Sequence, residues 1–98
     1  MKPRLLVLLL PAILAACVTG RAPVYTIEAG FFGNYRQAHA RAGEVEQILG
    51  NSRTEGNIIG RSAVYRVFAG EYSSPQDAAG DLAKLKKVGI SARVMAKR

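Results

Sequence analysis

The chain is poor in the residues from which reaction centres are built. It has one cysteine and one histidine in 98 residues. The single cysteine, Cys17, excludes an intramolecular disulfide. The single histidine, His39, lies among Ala38, Ala40 and Ala42, with no second imidazole or free thiol to complete a metal set. Acids are scarce too, with seven Asp and Glu against fourteen Lys and Arg. Glu44 and Glu46 are two apart and so point to different faces of a helix. Asp77 and Asp81 fall at a helix start, where carboxylates are favourable in any case. No Gly-rich loop followed by Lys occurs. The chain offers no plausible nucleophile or base, which argues for a binding module without metal or cofactor rather than an enzyme.

A membrane-spanning run is also missing. The longest apolar stretch, from Leu5 to Ile13, follows two cations, Lys2 and Arg4, and is interrupted by Pro11. It is about half the ~20 residues a transmembrane helix needs. A positive start, a short apolar stretch and small residues before a cut site make a secretory signal. Leu14-Ala15-Ala16-Cys17 resembles the bacterial lipobox. The resemblance implies cleavage after residue 16 and acylation of Cys17 as the new N-terminus. Residue 18 is Val, not the Asp that commonly retains Gram-negative lipoproteins at the inner membrane. That favours the outer membrane, facing the periplasm. Residues 17–24 read as a lipidated tether, because they have no period and carry Gly20 and Pro23. The seven residues from Val18 to Val24, fully extended, reach at most ~25 Å.

The remainder, residues 25–98, is one small domain with an internal repeat at an offset of 40. Tyr25-Thr26-Ile27-Glu28-Ala29-Gly30-Phe31-Phe32 aligns with Tyr65-Arg66-Val67-Phe68-Ala69-Gly70-Glu71-Tyr72. Ala38, Ala42, Val45 and Leu49 then align with Ala78, Leu82, Leu85 and Gly89. Each half reads as strand then helix. Tyr25, Ile27 and Ala29 alternate with Thr26 and Glu28, as Tyr65, Val67 and Ala69 do with Arg66 and Phe68. Gly30 and Gly70 are expected to end the strands. The first helix starts near Asn34 and stops at Gly50. The second starts with Ser74 as cap and Pro75 in the first position, and Gly89 ends it. A strand between Ser52 and Ile59 and a last strand over about Ile90–Met95 complete the pattern.

The order is β-α-β-β-α-β. Right-handed crossovers then give an α+β, ferredoxin/RNP-like domain. Its four-stranded antiparallel sheet carries both helices on one face, with the repeated strands at the centre. The other face is expected to be open to water. By parity it carries Thr26, Glu28, Val64, Arg66 and Phe68, with Arg93 and Met95 on the last strand.

The two repeated segments resemble the paired motifs of SPOR domains, roughly Y-x-V-Q-x-G-S-F and Y-R-V-x-x-G-P-F-S-S. The Ala- and Leu-rich helix, the Gly and the last strand match the family pattern as well. The resemblance implies binding of peptidoglycan glycan strands stripped of their stem peptides, at the division septum, through the helix-free sheet face. Carried over by position, the contacts are Glu28 on the first strand, Arg66 on the third and a residue near Arg93 on the last. Each stripped N-acetylmuramic acid bears a free lactyl carboxylate, which a guanidinium pairs with through two parallel hydrogen bonds. Phe68 would offer a flat face to a sugar ring.

The chain departs from the family pattern at four places. Glu28 stands where Gln is usual, Phe31 where Ser is, and Glu71 where Pro is. Val64 stands where an aromatic often precedes the third-strand tyrosine. A carboxylate at Glu28 either repels the lactyl group or holds Arg66 or Arg93 in an ion pair. The alternative reading is an envelope adaptor that holds a division or cell-wall protein, or an anionic membrane surface, through the same sheet or through the basic helix end at Lys84, Lys86 and Lys87. A third reading, nucleic-acid binding on a sheet that resembles RNA-binding platforms, is disfavoured by the export signal.

Overall fold

The computed structural model describes residues 23–97. The signal segment 1–16, the lipidation site Cys17 and all of the tether before Pro23 lie outside them. The elements are β1 (Val24–Phe32), α1 (Tyr35–Leu49), β2 (Arg53–Ile59), β3 (Ser62–Tyr72), α2 (Pro75–Lys87) and β4 (Arg93–Lys97). The sheet is antiparallel throughout, in the order β2-β3-β1-β4, with the repeated strands at its centre. Val24, assigned to the tether by sequence, is already paired with Lys97.

The helix starts are where the cap residues place them. The Asn34 side chain accepts from the Gln37 N–H at 3.2 Å, and the Ser74 hydroxyl accepts from the Asp77 N–H at 3.2 Å. Each satisfies one of the donors that a helix N-terminus leaves free. One face of each helix is then buried: Ala38, Ala42 and Val45 on α1, Ala78 and Leu85 on α2. They pack on Ile27, Ala29, Val67 and Ala69 of the central strands. The whole core lies between Ile27 and Val94, so the described domain contains its own core.

The last strand is shorter than the alternation suggests. It begins at Arg93, not Ile90. The Ile90 N–H donates to the Leu85 carbonyl at 3.0 Å, and the Gly89 N–H to Lys86 at 3.0 Å. These are the two bonds of a Schellman helix end, which seats Ile90 against Leu85 in the core. With its N–H committed to the helix end, Ile90 does not enter the ladder.

The glycines of the repeat do not end the strands. Gly30 and Gly70 lie inside β1 and β3, each at a register shift in the β1–β3 ladder. One extra residue separates Glu28 from Gly30 on β1, and another separates Ala69 from Tyr72 on β3. Such insertions are β-bulges. A Cβ on Gly30 would run into the Phe32 ring, and one on Gly70 into the Tyr72 ring. The aromatic two residues on folds back over each glycine, and both rings pack against the core. Gly70 also has φ of 72°, the left-handed region where a side chain is strained.

Candidate sheet-face binding site

The bulge in β1 decides which side chains reach the helix-free face. Beyond it, Phe31 pairs with Arg66 and Phe32 with Tyr65. Straight alternation would send Phe31 to the core. The extra residue reverses the parity, so Phe32 packs inward and Phe31 stands on the helix-free face, 53% exposed. The registers then define two rows. One crosses all four strands as Arg53, Phe68, Glu28 and Arg93; the next reads Glu55, Arg66, Phe31.

Glu28 is the centre of the first row. It is 8% exposed. Its Oε1 accepts from Arg93 Nε at 2.9 Å. Its Oε2 faces Arg66 Nε at 3.5 Å, and neither of those two atoms has a hydrogen-bond partner. A buried carboxylate is costly unless it is paired, and here two cations from neighbouring strands share it. The guanidinium of Arg66 lies 5.1 Å from the centroid of the Phe31 ring. That of Arg53 lies 4.9 Å over Phe68 and is also paired with Glu55 at 3.1 Å. Guanidinium planes over aromatic rings are attracted by the ring quadrupole. The face is therefore a mosaic of guanidiniums anchored by rings and one buried carboxylate, with the outer N–H groups left to donate.

The expectation of an open face holds only in part. All seven residues placed there by parity share the face, but Thr26, Glu28 and Phe68 are buried in it. Thr26 is 2% exposed. Its hydroxyl lies 3.0 Å from the Ala69 carbonyl and 2.8 Å from that of Gly70, towards which it donates at the β3 bulge. Phe68 is 6% exposed beneath Arg53 and cannot offer its ring to a ligand. Val64, Arg66 and Met95 are half-buried, and Arg93 is exposed. Three residues that the parity argument missed belong to the site: Phe31, Arg53 and Glu55. The repeat carried a signal for Phe31. Phe32 aligns with the inward Tyr72, which implies that the intervening glycine shifts the parity.

Two shallow grooves border the Phe68–Glu28 row. One, of about 340 Å³, runs past Glu28, Phe31, Arg41, Ser91 and Arg93. The other, of about 300 Å³, runs past Arg53, Glu55, Arg66, Met95 and Lys97. At the rim of the second, Lys97 bonds Glu71 and holds its carboxyl below the usual carboxylate range. Among the described residues no group of three or more His, Cys, Asp or Glu side chains could hold a metal ion. No helix among them is long and apolar enough to cross a membrane. Such a face suits an extended, polar, anionic ligand better than an enclosed small molecule.

Comparison with known proteins agrees with the fold. The family model of the SPOR domain matches residues 22–96. The solution structure of the peptidoglycan binding domain of the B. subtilis cell wall lytic enzyme CwlC is similar in fold. The two superpose with a TM-score of 0.61 at 22% identity, over 81% of this chain and 95% of that one. No curated protein matches the chain.

Proposed function

The chain belongs to the SPOR domain family, and from that premise we propose that it binds peptidoglycan through the helix-free face of its sheet. The ligand in this reading is a glycan strand stripped of stem peptides, the form exposed where amidases work at the division septum. The observation that carries the proposal is the grouping of Arg66 and Arg93 around Glu28, with Phe31 exposed beside them. Arg93 and Arg66 donate to lactyl carboxylates along the strand, and Phe31 takes the sugar face that Phe68 cannot. Glu28 removes one of the two positive charges and fixes the guanidiniums in place. The site then recognises spaced carboxylates without becoming a general anion sink. The lipoprotein reading places the domain within ~25 Å of its membrane, on the periplasmic side of the outer membrane.

The test is co-sedimentation of the described domain with sacculi before and after amidase treatment. Pelleting after treatment only, lost in Arg66→Ala and strongly reduced in Phe31→Ala, is the expected result. A folded domain that pellets with neither preparation would refute the reading. The cations on α2, Lys84, Lys86 and Lys87, would then lead to the adaptor alternative, which their charge reversal tests.

A further inference from the structure

The two edges of the sheet are unlike. β4 is five residues long and presents Arg93 and Lys97. Short, charged edges resist pairing with other strands. β2 is seven residues long, contains no proline, and pairs with β3 without a register shift from Arg53 to Ile59. At its end stand Ile58 and Ile59, 73% and 56% exposed, on opposite faces of the strand. An unbulged edge without proline that ends in bare isoleucines is the kind that accepts another strand.

The hairpin fixes which backbone groups point outward. Gly60 and Arg61 make a two-residue turn with φ of 65° at Gly60, the pattern of a type II′ hairpin turn. In such a hairpin the residues flanking the turn, Ile59 and Ser62, exchange hydrogen bonds, and the pairs then alternate. Ile59, Asn57, Glu55 and Arg53 therefore bond to β3. Thr54, Gly56 and Ile58 turn their N–H and C=O groups away from the sheet.

We propose that β2 pairs antiparallel with β2 of a second copy of this chain, with the two-fold axis at Gly56. Three outward-facing residues at equal spacing admit few self-pairings. Centring on Gly56 sets Thr54 of each copy against Ile58 of the other and Gly56 against Gly56, so every outward backbone group is bonded. The intervening pairs are Glu55 with Asn57 and Arg53 with Ile59, with no like charges opposed. Centring on Glu55 would oppose two carboxylates. Centring on Thr54 would leave Ile58 unpaired. In the Gly56 register both isoleucines gain cover, Ile58 from a Thr54 side chain and Ile59 from the Arg53 stem. The axis is perpendicular to the sheet, so the result is one eight-stranded sheet with both helix-free faces on the same side. If the glycan reading holds, the pair presents two sites to one repeating polymer, a gain in avidity without a new contact. The dimer itself does not depend on that reading.

Sedimentation equilibrium of the residue 23–97 domain over micromolar to millimolar concentration tests the association, with no glycan present. A reversible dimer that Ile58→Lys converts to a monomer is expected, with equal melting temperatures for the two proteins at dilutions where both are monomeric. The register is tested by mixing the single variants Glu55→Cys and Asn57→Cys under mild oxidation. The mixed disulfide should form at least tenfold faster than either homodisulfide. A monomer at every concentration, a dimer indifferent to Ile58→Lys, or homodisulfides in excess would each overturn the proposal. Capture of a strand from a different protein would then be the remaining use of this edge.

Discussion

Arg41 and Asp81 occupy the same place in the two halves of the chain, and each is matched to the aromatic that its own strand presents. Arg41 lies 5.4 Å over the Phe32 ring and donates to the Ala29 carbonyl at 2.8 Å. Asp81 accepts from the Tyr72 hydroxyl at 2.7 Å. The repeat keeps one geometry, an aromatic folded over a bulge glycine and fastened by a helix. The fastening chemistry has changed with the ring. A phenyl face takes a cation, and a phenol takes a carboxylate.

The Tyr72–Asp81 bond makes stability depend on alkaline pH. Burial, then the Asp81 hydrogen bond, raises the Tyr72 pKa above its ordinary value of 10. The neutral phenol is therefore favoured by the folded state. Its contribution is complete below pH 10 and fades as pH rises further towards the folded-state pKa. Denaturant unfolding at pH 8 and pH 11 should show a larger loss of stability for the wild type than for Tyr72→Phe. At pH 8 Tyr72→Phe and Asp81→Ala should each cost about 1 kcal/mol, with little further loss in the double variant. Strict additivity in that cycle would show that the two residues act independently.

Phe31 and Phe68 should separate binding from stability. Phe68 is buried between Arg53 and the neighbouring strands, so Phe68→Ala is expected to cost about 3–5 kcal/mol and leave little folded protein. Phe31→Ala removes a ring that is half in water and should shift the melting temperature by only a few degrees. Pelleting with amidase-treated sacculi should nonetheless fall about tenfold. Equal loss of stability in both variants would mean that Phe31 is a core residue after all.

Glu28→Gln probes the charge balance of the face. The substitution keeps an acceptor for Arg93 Nε but leaves the half-buried Arg66 and the exposed Arg93 without the buried counter-charge they share. Stability should fall by about 1–3 kcal/mol. Binding to anionic glycan should tighten several-fold, with a steeper decline in salt, because exposed charges are screened by added ions. The measurement is the salt dependence of pelleting for wild type and variant. Weaker binding at low salt would show that Glu28 is needed to aim the arginines more than it is needed to restrain them.

The fold was legible because its signals are local and repeated. Asn34, Ser74, Pro75 and the Ala38/Ala42/Val45 stripe each name a helix boundary or face without knowledge of the rest. The seven residues assigned to the helix-free face do share it, because strand parity is a local rule over a few residues. Burial on that face was not legible. Whether Phe68 is open depends on where Arg53 lies, on a neighbouring strand whose register the blurred alternation around Gly56 does not show. Phe31 was hidden by the β1 bulge, a single inserted residue that reverses parity while leaving the hydrophobic pattern intact. The end of α2 misled in the same way. Ile90 has the residue type of a strand and the hydrogen bond of a helix cap.

The glycines give the last and most separable prediction, since alanine should act with opposite sign at different positions. Gly43 lies in α1, where an added Cβ meets nothing within 4 Å. Glycine in a helix interior loses more backbone entropy on folding than alanine, so Gly43→Ala should stabilise by up to about 1 kcal/mol. Gly70 differs in both respects. Its φ is 72°, and a Cβ there collides with the Tyr72 ring. The ring is fastened by Asp81 and cannot swing aside without losing that bond. Gly70→Ala should therefore cost well over 1 kcal/mol, the strain of the left-handed backbone adding to the displaced ring. Adding Tyr72→Ala to Gly70→Ala removes the collision and leaves the backbone strain. Thermal unfolding of the four variants, the Tyr72→Ala single included, separates the two contributions. If Gly70→Ala costs no more in the Tyr72 background than in Tyr72→Ala, the ring is not what makes that position glycine.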